Sequence, residues 1–99
     1  MKSMTFNEYI KVQDQARTID VRTNSEVKTL LNFSWAENIY VEDLIRNYKS
    51  YFPDKNELII TVCNAGNRSG QAAQFLEEVG YSNAFVLTGG IYNYFRNKK

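Results

Sequence analysis

Residues 58–81 of this 99-residue chain read LIITVCNAGNRSGQAAQFLEEVGY, and they predict a strand, a tight loop and a helix in succession. The apolar and β-branched run Leu58–Val62 is typical of a strand buried on both faces. Small and turn-forming residues follow at Cys63–Gly70, here named the cysteine loop. From Gln71 the apolar residues recur at helical spacing, and Gly80 is placed to end the helix as a left-handed residue.

The cysteine loop carries the only cysteine of the chain, Cys63, and one basic residue, Arg68. Backbone N–H groups in such a loop can converge on one point, and the helix N-terminus adds partial positive charge there. These groups and a nearby arginine lower the pKa of a thiol below its usual value of about 8.5. We therefore expect Cys63 to be a thiolate, or an anion built on its sulfur. The alternative is an unreactive, small apolar side chain at the end of a buried strand.

Strand and helix patterns alternate along the rest of the chain. A capping box at Thr5–Glu8 predicts a first helix, and Arg17–Val21 predicts an early strand. Further strands are predicted at Asn38–Val41 and Ala84–Leu87, with a helix at Glu42–Tyr51 between them. This alternation predicts an α/β fold, with an open, mainly parallel β-sheet covered by helices on both faces. A chain of 99 residues is expected to form one domain.

An acid and a base, Asp20 and Arg22, mark the end of the early strand. Functional residues of open parallel sheets collect at the C-terminal ends of strands, so this pair is expected near the cysteine loop. Asp20 would brace that loop by accepting its N–H groups or by pairing with an arginine. The alternative is a local ion pair without a chemical role, because exposed pairs are common and contribute less than about 1 kcal/mol each.

Composition excludes several kinds of function. Lys and Arg number 12 against 11 Asp and Glu, so no strong field would attract nucleic acid or an anionic membrane surface. The absence of histidine excludes Cys–His pairs and histidine-ligated metals, and we expect neither a metal nor a cofactor. A single cysteine, an N-terminus without an apolar signal segment and no run of transmembrane length favour a reducing cytoplasm.

Three motifs, in this order and at this spacing, resemble the rhodanese family, particularly its small single-domain members. Cys63–Gly70 (CNAGNRSG) is similar to the family's active-site loop, Asp20–Arg22 (DVR) to a motif ending an early strand, and Leu87–Ile91 (LTGGI) to the closing L-x-G-G-I. The resemblance covers nearly the whole chain and implies a single rhodanese-like domain over residues 1–99. It also implies a sulfurtransferase, in which Cys63 carries a sulfane sulfur as a persulfide and passes it to a thiophilic acceptor.

The resemblance also implies which residues form the site. Cys63 would be the catalytic nucleophile, and Asp20 and Arg22 would support the loop. The residues that would bind substrate or the persulfide are Asn64, Ala65, Gly66, Asn67, Arg68 and Ser69. Ser69 would hydrogen-bond the sulfur or cap the helix, and Arg68 would face the loop or the incoming donor anion. The implied donors are thiosulfate, a polysulfide or a persulfide, and the implied acceptors are cyanide, a small thiol or a thioredoxin-like protein.

Two positions depart from the family pattern. The loop at residues 32–37 (NFSWAE) retains only the alanine of the usual G-H-I-P-G-A type of sequence, and Tyr94 stands where a tryptophan is usual. Trp35, within that loop, could lie beside the pocket. We expect it instead in the core or at its edge, because tryptophan is mostly buried.

Two other functions would use the same residues. Cysteine-dependent phosphatases and arsenate reductases also combine a cysteine with an arginine, but phosphatases typically use a Cys-x5-Arg loop, because a tetrahedral oxyanion needs a wider cradle. By the resemblance to the rhodanese family, the Cys-x4-Arg spacing of Cys63 and Arg68 favours sulfur chemistry instead. The second alternative is a non-catalytic rhodanese-like sulfur carrier or protein-binding module, although inactive modules commonly lack the cysteine.

Overall fold

A five-stranded parallel sheet lies at the centre of the computed structural model, which describes residues 1–98. The strands are β1 (Ser3–Met4), β2 (Arg17–Asp20), β3 (Glu37–Asn38), β4 (Ile59–Val62) and β5 (Ala84–Leu87). Their spatial order is β1-β5-β4-β2-β3, which places β4 in the middle.

A helix follows each strand, so that α1 to α4 connect successive strands and α5 follows the last one. They are α1 (Phe6–Val12), α2 (Asn24–Thr29), α3 (Val41–Tyr51), α4 (Asn67–Glu78) and α5 (Gly90–Asn97). In residues 1–98, no helix has the length and apolar character needed to cross a membrane. The predicted α/β fold class with a parallel sheet is confirmed.

The central strand β4 separates two hydrophobic cores, because its side chains alternate between the two faces of the sheet. Ile59 lies in one core with Leu44 of α3 and Leu76 of α4. Ile60 lies in the other core with Tyr9 of α1 and Tyr94 of α5. Helices therefore cover both faces of the sheet, and every residue of β4 is buried.

The C-terminal ends of β2 and β4 lie side by side at one edge of the sheet. Their parallel register pairs Asp20 with Val62, so Cys63 emerges next to the end of β2. On the other side of β4, Thr61 pairs with Val86 of β5. The segments that follow these strands therefore converge on the cysteine loop, as expected for an open parallel sheet.

Helix α4 begins earlier than the apolar pattern indicates. It starts at Asn67 with Gly66 as its N-cap residue, whereas helical spacing of apolar residues begins only at Gln71. The Gly70 N–H donates to the Gly66 carbonyl oxygen at 2.8 Å, so polar residues with turn preference form the first turn. The end of the helix agrees with the prediction, because Gly80 has a left-handed φ of 102°.

The start of α1 and the end of β3 can also be compared with the predictions from the sequence. The capping box of α1, in which Thr5 and Glu8 exchange hydrogen bonds, is confirmed. The strand predicted at Asn38–Val41 is wrong in its extent, because β3 ends at Asn38 and Val41 already begins α3.

The expectation that Trp35 lies in the core or at its edge is wrong, because the side chain is exposed on the α1 and α5 face. It is 40% exposed, and its ring stacks on Phe33 with centroids 4.6 Å apart. Its indole Nε1 donates to the Tyr9 hydroxyl at 2.9 Å, which satisfies the polar edge of the ring.

Candidate active site

The sulfur of Cys63 accepts hydrogen bonds from the loop that follows it. The Gly66 N–H donates to Sγ at 3.1 Å, and the Ser69 hydroxyl oxygen lies 3.2 Å from Sγ. Cys63 is only 3% exposed, which agrees with the alternative of an unreactive apolar side chain. An apolar role, however, needs no donors around the sulfur, and these contacts stabilise negative charge on Sγ.

Opposing effects set the pKa of the Cys63 thiol. Burial raises this pKa, because a charged sulfur is disfavoured away from water. The Ser69 hydroxyl and the backbone N–H groups of Ser69, Gly66 and Arg68 lower it. The hydrogen bonds outweigh burial, so the pKa of Cys63 lies below the ordinary value for a thiol.

Ser69 is fixed so that its hydroxyl group faces the sulfur. It is buried in the first turn of α4, and its carbonyl oxygen accepts a hydrogen bond from the Thr61 hydroxyl at 2.8 Å. The N-cap residue of α4 is Gly66, so the alternative in which Ser69 caps the helix is wrong. Thr61 thus joins β4 to the first turn of α4 and fixes Ser69 beside Cys63.

A buried ion pair contacts the cysteine loop from the end of β2. The Arg22 and Asp20 side chains are 0% and 2% exposed, and Nε and Nη2 of Arg22 donate to Oδ1 and Oδ2 of Asp20 at 2.9 and 2.7 Å. Hydrogen bonding to Asp20 raises the pKa of Arg22, which keeps the guanidinium charged. Nη1 of Arg22 donates to Oδ1 of Asn64 at 2.7 Å. The pair is thus placed to support the loop through Asn64, and that role stays a prediction.

The N-terminus of α5 packs against the base of the cysteine loop. The Ile91 N–H donates to the Cys63 carbonyl oxygen at 2.9 Å. Gly90 has a φ of 68°, and a Cβ atom there would lie 2.6 Å from the Cys63 carbonyl oxygen and 2.5 Å from that of Asn64. The close approach therefore requires glycine at position 90, which explains the second glycine of the LTGGI motif physically.

The Gly90→Ala variant should lose both stability and sulfur loading. A left-handed backbone costs a non-glycine residue roughly 1–2 kcal/mol, and the contacts with backbone oxygens add to this cost. Urea unfolding should show a loss of about 2 kcal/mol or more. The matched control is Gly70→Ala within α4, where the nearest atom to a new Cβ is Met1 Sδ at 3.6 Å. Equal unfolding midpoints for the two variants would contradict the close packing described for Gly90.

Arg68 forms an ion pair with Glu26. Its Nη1 and Nη2 atoms donate to Oε1 and Oε2 of Glu26 at 2.6 and 2.8 Å. Hydrogen bonds from the Arg68 side chain and from the Thr23 backbone N–H lower the pKa of Glu26 to about 2. Both partners are therefore charged at neutral pH, and the guanidinium of the cysteine loop is already occupied by a carboxylate.

The other residues predicted to bind substrate lie around the sulfur at different depths. Ala65 and Asn67 are exposed at the rim of the cysteine loop, whereas Asn64 and Gly66 are partly buried. In the described part of the chain, the hydrogen-bond donors found at Sγ come from Gly66, Arg68 and Ser69. Over the same residues, no cluster of His, Cys, Asp and Glu side chains could hold a metal ion.

Sequence reasoning missed three residues that shape the site. Thr61 appeared only as part of an apolar strand, and no contact with the cysteine loop was predicted for Glu26. Gly90 belongs to a recognised motif, but its contact with the Cys63 and Asn64 backbone depends on the tertiary fold. No local pattern indicates that Glu26 pairs with an arginine that is 42 residues away in the chain.

Comparisons with known proteins identify the family of this domain. The family model for the rhodanese-like domain matches residues 5–97. The thiosulfate sulfurtransferase PspE of Escherichia coli is 36% identical over 64 residues, which make up 65% of this chain and 61% of PspE. The aligned stretch thus spans less than two thirds of that relative.

Solved structures show the same fold. SSP1007 of Staphylococcus saprophyticus is 32% identical with a TM-score of 0.80, over 95% of this chain and 93% of that protein. A rhodanese-related protein of Thermoplasma volcanium, 23% identical, has a TM-score of 0.84 over 97% of this chain and 92% of its own. Since the family match spans nearly all of its residues, this chain belongs to the rhodanese-like domain family.

Proposed function

We propose that this protein is a sulfurtransferase that moves a sulfane sulfur from a small donor to a thiophilic acceptor through a persulfide on Cys63. The observation that carries this proposal is the position of Sγ, which follows the central strand and lies within hydrogen-bond distance of the Gly66 N–H and the Ser69 hydroxyl. Donors arranged in this way stabilise an anionic sulfur both before and after it receives a second sulfur atom.

The first half-reaction is a nucleophilic displacement at sulfur. The Cys63 thiolate attacks the outer, sulfane sulfur of the donor, a new S–S bond forms, and the bond between that sulfur and the rest of the donor breaks. The leaving group departs with the electron pair, as sulfite from thiosulfate or as a thiolate from an organic persulfide. A lowered thiol pKa increases the fraction of Cys63 that can attack at neutral pH. No separate general base is needed.

The second half-reaction transfers the outer sulfur to the acceptor. Cyanide or a thiolate attacks the outer sulfur of the persulfide, the S–S bond breaks, and the electron pair returns to Cys63 Sγ as a thiolate. Donors that hold this thiolate make Cys63 a better leaving group. Because Cys63 is only 3% exposed, small molecules or extended sulfur chains fit the site better than bulky reagents. PspE, by its name, uses thiosulfate, which makes thiosulfate the first donor to test.

The phosphatase alternative is disfavoured by the state of Arg68. A phosphatase needs the arginine of its loop to bind the phosphate oxygens. Here both Nη atoms of Arg68 donate to Glu26, so a phosphate dianion would have to displace a carboxylate. The alternative of a non-catalytic binding module is also disfavoured. Such a module would not need a cysteine whose sulfur is surrounded by hydrogen-bond donors, as that of Cys63 is.

Intact mass spectrometry of the wild-type protein tests the proposal. After incubation with thiosulfate, a polysulfide or an organic persulfide, the mass should rise by one sulfur atom, located on the peptide that contains Cys63. Addition of cyanide should return the original mass and release thiocyanate. Loading without repeated turnover would identify a carrier rather than an enzyme. Turnover of para-nitrophenyl phosphate, with no loading by any sulfur donor, would identify a phosphatase and overturn the proposal.

A further inference from the structure

The positive charge of Arg68 in the cysteine loop is neutralised by the carboxylate of Glu26. Arg68 is the only basic residue of that loop, and its two Nη atoms are bound in parallel by the two carboxylate oxygens of Glu26. The Arg68 and Glu26 side chains remain 33% and 28% exposed. An incoming donor can therefore reach the pair, but it meets a neutral pair instead of a free cation.

Glu26 is fixed in place independently of Arg68. Its Oε1 atom accepts hydrogen bonds from the backbone N–H and the hydroxyl of Thr23, at 3.1 and 3.0 Å, as part of the capping box of α2. A carboxylate held by a helix cap cannot move away from Arg68 without loss of that cap. The ion pair is thus preorganised by the fold, unlike a chance contact between two mobile surface side chains.

Among the arginines of residues 1–98 that contact the cysteine loop, no second free cation replaces the charge of Arg68. The other arginine that contacts the cysteine loop is Arg22, which is fully buried and bound to Asp20 by parallel hydrogen bonds. The remaining side chains of the loop are uncharged. In the described residues, both arginines that reach the loop are therefore compensated by carboxylates, while the thiolate of Cys63 carries a negative charge of its own.

We propose that Glu26 determines the donor class of this site by neutralising Arg68, so that persulfides, which carry at most one negative charge, are preferred over dianionic thiosulfate. This inference rests on the proposed sulfur transfer through Cys63. A thiolate repels a dianion more than a monoanion, and an unpaired arginine would offset that repulsion. With a hydropersulfide R–S–SH, Cys63 attacks the terminal sulfur, the S–S bond breaks, and R–S⁻ leaves with the electron pair. The proton stays on the transferred sulfur, which gives Cys–S–SH.

The test measures the rates of Cys63 loading with two donors, thiosulfate and 2-hydroxyethyl hydropersulfide, at neutral pH. The quantity of interest is the ratio of the thiosulfate rate constant to the hydropersulfide rate constant. Glu26→Gln should raise this ratio by about tenfold, because it frees the charge of Arg68, whereas Arg68→Gln should lower it by about tenfold. Glutamine at position 26 can still serve in the capping box. The double variant restores a neutral pair, so its ratio should return to within about twofold of the wild-type value.

A matched control separates a local effect from a change in net charge. Glu37→Gln also removes a carboxylate that binds an arginine, Arg17, with contacts of 2.8 and 2.7 Å, but it does so at β3, away from the cysteine loop. This control should leave the donor ratio unchanged. Equal slowing of loading with both donors in the single and double variants, with an unchanged donor ratio, would mean that the pair is only structural and would overturn the inference.

The wild-type protein supplies a test that needs no substitution. If the site has no free cation, thiosulfate loading should not slow as ionic strength rises, because salt screens only repulsion from the thiolate. A steep decrease with salt would indicate attraction to an uncompensated cation and would overturn the inference. Failure of both donors to load Cys63 would refute the proposed function itself. If both donors load Cys63 but the donor ratio is the same in the wild-type protein, Glu26→Gln and Arg68→Gln, only the role of Glu26 would be refuted.

Discussion

Cys63→Ser should abolish sulfur loading and should lower thiocyanate formation from thiosulfate and cyanide by at least about 10³-fold, because serine has a similar size but supplies no thiolate. A serine hydroxyl is not ionised at neutral pH and cannot form a persulfide. The rate should be measured as thiocyanate released at saturating cyanide, and loading should be measured by intact mass.

A second variant provides the control for this loss. Ser69→Ala removes a hydrogen-bond donor to Sγ but retains the nucleophile, so it should still load one sulfur atom, at a reduced rate at neutral pH. Both variants should unfold cooperatively, which would show that loss of activity is not loss of the fold. Thiocyanate formation in Cys63→Ser at more than a tenth of the wild-type rate would mean that the sulfur chemistry occurs elsewhere.

Asp20→Ala should produce the largest loss of stability among single substitutions near the site. It would leave the guanidinium of Arg22, which is 0% exposed, without a compensating carboxylate. Removal of one partner of a buried ion pair typically costs about 3–5 kcal/mol. Domains of this size have a free energy of unfolding of only about 5–15 kcal/mol, so the shift of the urea midpoint should be large. The same variant should load sulfur slowly, because Arg22 also holds Asn64 in the cysteine loop.

The exposed pair of Arg17 and Glu37 supplies the comparison. Its side chains are 27% and 46% exposed, and Arg17 has a second partner in Glu57, so Glu37→Gln should cost less than about 1 kcal/mol. Equal effects of the two substitutions would show that Asp20 contributes no more than an ordinary surface ion pair. In that case, its position beside the cysteine loop would have no special importance for stability.

The fold and the centre of the site could be predicted because their signals are local. The buried run at Leu58–Val62, the glycine-rich turn after it and the apolar spacing from Gln71 each follow from the preferences of neighbouring residues. Cys63, the only cysteine of the chain, directly follows that run. These signals place Sγ at the C-terminal edge of a parallel sheet without any knowledge of distant contacts.

The remaining features depend on contacts between distant segments, and the sequence does not reveal them. The first turn of α4 contains poor helix formers, and it is stabilised by Thr61 from the strand and Glu26 from α2. The capping box formed by Thr23 and Glu26 marks the start of α2. The ion pair between Glu26 and Arg68, however, depends on how α2 and α4 pack together in the folded chain. The sequence therefore predicted that Arg68 faces the loop or the incoming donor anion, whereas the tertiary structure shows its guanidinium paired with Glu26.

The most direct test of the account is a pH titration of the Cys63 thiolate, followed by its ultraviolet absorbance, with Cys63→Ser as the blank. We expect the pKa of Cys63 in the wild-type protein to lie below that of an ordinary cysteine thiol and to be higher in Ser69→Ala, because the serine hydroxyl stabilises the thiolate. A wild-type pKa equal to or above that of an ordinary cysteine thiol, unchanged in Ser69→Ala, would contradict this expectation, since the sulfur would then be a buried and inert thiol.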